Sequence, residues 1–266
     1  MPPKWSTIDS YQRNQTQMAF KTDGSVHTGG IANEKQTIDT LNRLGIFADT
    51  VEHRGGTQQK ADAVAGERSI SIKRKQGTKN GSFDWCNTTK MPASLSAKFD
   101  TFKSIVSELR TLPEAERTAE VEMVRDAFNN VSANAFDTFE TADLVAFLRS
   151  TFAKQTGFDI VITDTKAKKL HHFMAEAHPV IKMLADGFTP VLAQPSKAGQ
   201  TSRSIYFAKD GDITDCGLRL RITSNNGISA FLGLSKANKT SSVVLKLQQD
   251  NVNGLLESVN ATAYAI

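Results

Sequence analysis

Three residues with the means to do chemistry fall within one short stretch, Lys60 to Lys75. Asp62 precedes the triplet Ser71-Ile72-Lys73, with Asp62 and Ser71 nine positions apart. Lys60 to Ala65 is small, apolar and free of proline, and Gly66-Glu67 is a tight-turn signal. Arg68 to Lys75 then alternates, with Ile70 and Ile72 on one side and Ser69, Ser71 and Lys73 on the other. The spacing predicts a β-hairpin whose antiparallel pairing sets Asp62 beside Ser71 and Lys73. A carboxylate and an ammonium on one half-buried face can hold a cation and offset negative charge on a bound group. The plainer reading is a sheet edge with an incidental acid, where lysines discourage aggregation.

A second carboxylate comes from upstream. The pattern predicts a helix from about Ile31 to Leu44, stopped by Gly45 and led into by Gly29-Gly30. Its apolar stripe is Ile31, Ile38, Leu41 and Leu44, and Glu34 falls on that stripe. An acid on a buried helix face is costly unless a charged partner, a metal or a polar cleft receives it. The alternative is an exposed carboxylate favoured by the helix dipole.

Other elements must position these groups. Ile46 to Glu52 reads as a strand, His53 to Gln59 as a loop, and Ser82 to Cys86 as a short strand or ordered loop. Residues 93–156 carry a Phe-rich helical periodicity, with a restart at Pro113. Phe158 to Thr163 is a strand, and Lys166 to Asp186 has a helical pattern broken near His178-Pro179. His171, His172 and His178 lie there, but no further acid or cysteine completes a metal-ligand set. Residues 187–202 read as a connection. Strands are expected at Ser204–Lys209, Gly217–Thr223, Ile228–Leu234 and Ser241–Leu247, with a hairpin turn at Asn225-Asn226-Gly227. Arg219 and Arg221 share one strand face there, and a short helix from Val252 to Val259 closes the chain.

Composition sets the frame. The 266 residues are 39% hydrophobic and 23% charged, as expected for a globular protein and not for a disordered one. No apolar run reaches membrane-spanning length, and the N-terminus lacks the apolar segment of a signal peptide. Two cysteines, Cys86 and Cys216, make no disulfide framework, so a reducing, cytoplasmic setting is expected. Net charge is +4 over residues 1–90, −2 over 91–200 and +2 over 201–266, which suits a polyanion held by both ends.

In order, an acid-bearing helix, a strand, Asp62 and a Ser-x-Lys triplet resemble the PD-(D/E)XK nuclease superfamily, the fold of many restriction enzymes. The resemblance covers about residues 31–76. The usual second acid, two positions before the lysine, is Ser71 here. The resemblance implies an α/β fold of mixed α+β type: a restriction-endonuclease-like core with a central mixed sheet flanked by helices. Residues 1–30 would be an arm, 31–92 the motif-bearing core, 93–156 a helical insertion, and 157–266 the rest of the core with a β-rich, DNA-contacting part. It further implies a Mg²⁺-dependent endonuclease acting on double-stranded DNA, of restriction type or a phage or mobile-element nuclease, with one or two ions and Mn²⁺ as a substitute. Asp62 would be the main metal ligand and Glu34 the second carboxylate. Lys73 would position the attacking water, and Ser71 would bond a metal-bound water. Arg74, Lys75, Gln76, Lys79, Arg219 and Arg221 would contact DNA. A homodimer would serve cleavage of both strands. The reading of another class is a non-catalytic DNA-binding protein on a degenerate nuclease fold.

Overall fold

A computed structural model describes residues 25–54, 61–77, 80–137, 140–153, 156–181, 189–193, 204–209, 212–213, 217–235 and 239–266. It is a mixed α/β structure with two six-stranded sheets. The first contains the motif. Helix α1 (Ser25–Leu44) leads into β1 (Val51–His53), β2 (Ala63–Ala65) and β3 (Arg68–Arg74). These three form an antiparallel meander. Strand β5 (Phe158–Asp164) then joins β3 in parallel, followed by β6 (Lys169–Met174) and, at the far edge, β12 (Thr262–Ala265).

Parallel neighbours require a long crossover. Between β3 and β5 the chain first forms β4 (Ser82–Thr88), then the helices α2 (Ala93–Ala97), α3 (Asp100–Leu109), α4 (Glu114–Ala119), α5 (Val121–Asn134) and α6 (Thr141–Ala153). Strand β4 belongs to the second sheet, ordered β4, β11 (Val243–Asp250), β10 (Leu218–Ser224), β8 (Ser204–Lys209) and β7 (Thr189–Ala193), with β9 (Asp212–Ile213) on β8.

The helical stretch expected at 93–156 is present, and it packs into a core shared with both sheets. Phe99, Phe102, Phe128 and Phe152 from the helices bury with Ile160 and Ile162 of the first sheet and with Trp85, Leu220 and Leu247 of the second. Burying each large side chain contributes about 1.5–3 kcal/mol. A smaller core lies on the other face of the first sheet, where Ile38 and Leu41 of α1 meet Ile70, Ile72 and Val161. The first sheet is therefore covered on both faces, which accounts for its runs of consecutive buried residues in β3 and β5.

Several elements differ from the expectation. Helix α1 begins at Ser25 and runs through Gly29-Gly30, so the arm cannot extend to residue 30, and residues 1–24 lie outside the described residues. Ile31 is 42% exposed; the buried stripe starts at Thr37 and Ile38. The segment 169–174 is a strand, because a turn after Asp164 returns it to pair with β5, burying Leu170 and Phe173. Residues 229–232 form a 3₁₀ turn where a strand was expected. The helix α7 (Val252–Ser258) does not close the chain, since β12 follows it. Part of the segment read as a connection, 189–193, is strand β7. No helix among the described residues is long and apolar enough to cross a membrane.

Candidate active site

The hairpin forms as the alternation predicts. Ala65 pairs with Arg68 across the two-residue turn Gly66-Glu67, and Gly66 takes the positive φ of 58° that a primed turn needs. The register places Ala63 opposite Ile70, so Asp62 falls level with Ser71. Ser71 donates to Asp62 Oδ2 at 3.3 Å, and the Ile72 N–H donates to the same oxygen at 2.7 Å. The carboxylate thus stands where β2 parts from β3 and takes over the ladder bond that Ile72 would otherwise lack. Oδ1 has no donor among the described residues.

Lys73 follows Ser71 by two residues on the same face, about 7 Å further along the strand. It is half-buried and has neither an ionic nor a hydrogen-bonding partner among the described residues. Parallel pairing sets Ser71 level with Ile160 and Lys73 level with Ile162, so both lie on the face turned away from α1.

Glu34 is at the same end of the sheet but on the α1 side. Its Oε2 lies 3.0 Å from His53 Nε2, and both side chains are about a quarter exposed. His53 pairs with Ala63, whose side chain faces the α1 core. The buried-face acid has therefore found its partner in an imidazole, a pairing that spans 19 residues and has no sequence signature.

Of the expected DNA contacts, Arg74 and Gln76 are exposed. Lys79 lies outside the described residues. Lys75 is committed elsewhere: its Nζ bonds Asp164 Oδ2 at 2.6 Å and Asn253 Oδ1 at 2.8 Å, with the ion pair about nine-tenths buried. A Cβ on Gly81 would land on the Lys75 chain, which packs the ammonium into this position. Asp164 Oδ1 also accepts the N–H groups of Lys166 and Ala167. Burial works to raise the Asp164 carboxyl, but the Lys75 ammonium and these donors outweigh it, so the group titrates below its ordinary value. Lys75 thus tethers β3 to β5 and to α7, and its charge is paired within the chain. Arg219 pairs with Asp250 at 3.0 Å, and Arg221 has no acidic partner within ion-pair distance among the described residues.

The histidines occupy separate places. His172 Nε2 lies 2.6 Å from Asp159 Oδ1; Asp159 is fully buried and also held by Arg68. His178 is fully buried against Trp85 and Phe152 and bonds Gln249. Burial pushes its pKa down to about 4, with the Gln249 bond opposing. Burial likewise lowers His171, which Asp164 opposes.

Mg²⁺ keeps several waters and is commonly held by one or two carboxylates together with substrate phosphate. Among the described residues no group of three or more His, Cys, Asp or Glu is placed to hold a metal ion. Asp62 Oδ1 supplies one carboxylate oxygen, with the Ser71 hydroxyl and the Lys73 ammonium on the same face. The carboxylate oxygen and the hydroxyl are the two groups there with lone pairs for an ion, and the ammonium can only face substrate or water; the arrangement is neither a preformed cage nor a two-carboxylate clamp.

Compared with known proteins, the chain matches no family model, no curated protein and no solved structure.

Proposed function

We propose that this chain is a Mg²⁺-dependent endonuclease acting on double-stranded DNA, of restriction type, built on a PD-(D/E)XK-like core. The observation that carries the reading is the placement of a carboxylate, Asp62, and an ammonium, Lys73, on one face where two strands part, with one oxygen of the acid and the ammonium free of partners among the described residues. The mixed sheet flanked by helices supports the fold it requires.

A Mg²⁺ at Asp62 would lower the pKa of its bound water and polarise the phosphoryl oxygens. The chain's own groups divide the remaining work. Asp62 is fixed by the Ile72 N–H and the Ser71 hydroxyl, so its Oδ1 would be the oxygen to hold the ion, already oriented by these two bonds. Lys73 holds the attacking water and offsets charge on the phosphoryl oxygens. The attacking water gives up a proton to bulk solvent as its oxygen bonds to phosphorus, the bond to the leaving oxygen breaks, and solvent returns a proton to that oxygen. Ser71 adds no charge; it orients the acid.

The single-carboxylate set favours a second reading, a non-catalytic DNA-binding protein on the same core. Supercoiled plasmid separates the two. Nicking or linearisation with Mg²⁺, abolished by EDTA, is the expected result. Duplex binding without cleavage under any divalent ion would establish the second reading instead.

A further inference from the structure

The second sheet turns one face to the core, through Leu218, Leu220 and Ile222 of β10 and Leu245 and Leu247 of β11. Its other face is polar. Arg221 stands opposite Lys246, and Arg219 opposite Gln248, which is in turn level with Asp84 of β4. Three cations and two acids lie together, and the acids are already taken: Arg219 Nε is 3.0 Å from Asp250 Oδ2, and Lys246 Nζ is 2.9 Å from Asp84 Oδ2.

Arg221 is the cation left over. It is half-buried, has neither an ion pair nor a side-chain hydrogen bond among the described residues, and its Nε is enclosed without an acceptor. Burial first, and the like charge of Arg219 second, work against its protonated form, and the nearby Asp84 and Asp250 carboxylates oppose them. A guanidinium stays charged regardless, and its planar fork of donors matches an anion that offers several acceptors. Holding such a group half-buried, with no direct ion pair among the described residues, costs stability, and an arriving phosphate would reduce that cost.

We propose that Arg221 anchors a contact to a backbone phosphate of duplex DNA on this face. Arg219 and Lys246 are held back by Asp250 and Asp84 and add little charge to the contact. The assignment rests on the DNA reading above and specifies where the backbone is gripped away from the reacting groups.

The test is binding of a fluorescein-labelled duplex by anisotropy, with EDTA present so that nothing is cut, over a salt series. Arg221→Gln should bind several-fold more weakly and flatten the slope of log affinity against log salt by about 0.9, the loss of one phosphate contact. Arg221→Lys should keep the slope. Asp250→Asn, which releases Arg219, should steepen it by a similar amount. A folded Arg221→Gln protein with wild-type affinity and slope overturns the proposal. If that variant does not fold, an unchanged slope in Asp250→Asn overturns it instead. A wild-type protein that neither binds nor cuts DNA fails the functional reading itself. One that does both, with Arg221→Gln binding identically, fails this inference alone.

Discussion

The Asp62 carboxylate accepts the backbone N–H of Ile72 at 2.7 Å, so the acid proposed for catalysis also closes the end of a strand pairing. The two roles can be separated by substitution. Asp62→Asn keeps an acceptor for Ile72 and removes the charge, whereas Asp62→Ala removes both. Cleavage should fall below detection in either variant. Urea unfolding should show Asp62→Ala less stable than wild type by about 1–3 kcal/mol, with Asp62→Asn losing less. Equal stability of the alanine variant would mean that water replaces the carboxylate at Ile72 without cost.

Ser71 and Lys73 share a face but not a task. Ser71→Ala deletes one neutral hydrogen bond to Asp62, worth about 1 kcal/mol, and should slow cleavage by roughly 5–10-fold. Lys73→Ala removes a charge that has no partner among the described residues, beside the proposed phosphate position, and should cost about 10²–10³-fold. Single-turnover rates at saturating DNA measure both. The reverse order would reassign the two residues.

Lys75 and Asp164 form an ion pair between β3 and the end of β5 that is about nine-tenths buried. Removing one partner strands the other in a poorly solvated position. Lys75→Met should therefore lower stability by about 3 kcal/mol by urea titration. The pH dependence has a definite sign. The folded carboxyl titrates below its ordinary value of 3.8, so its contribution is full above that value and is lost as pH falls through the folded pKa. Wild type should lose this increment only in strong acid, and Asp164→Asn should not show that loss.

His178 should give a second acid-dependent loss at milder pH. Its folded pKa, about 4, lies below the ordinary 6.5, so below pH 6.5 the unfolded chain binds a proton that the folded chain refuses. Stability therefore drops as pH falls from 6.5 toward 4. Between pH 7 and pH 5 the loss should be about 2 kcal/mol in wild type and absent in His178→Gln. Chemical denaturation at the two pH values checks it.

The signals that the sequence carries are local. The turn at Gly66-Glu67 and the alternation of Arg68–Arg74 specify a hairpin, and antiparallel register then places Asp62 level with Ser71. Both depend on residues fewer than a dozen apart, so the sequence contains the whole argument. The helices of 93–153 were legible for the same reason: 3.6-residue periodicity is set by neighbours three and four positions away. Strand 169–174 was misread as helix because its pairing with β5, and not its own pattern, decides its conformation.

The sequence by itself thus determined a hairpin that sets a carboxylate and a serine side by side, with a lysine on the same face, and the presence of a buried-side acid at Glu34. Only the tertiary structure decided how the remaining charges are used. It gave Glu34 to His53 across 19 residues, Lys75 to Asp164 across 89, and left Lys73 and Arg221 without an ion pair among the described residues. The reason is physical. Charged side chains at helix and strand surfaces are all compatible with their own elements, and which of them meet depends on how the sheets and helices stack. That stacking is set by apolar burial shared over the whole chain, such as the parallel pairing of β3 with β5 across the helical crossover.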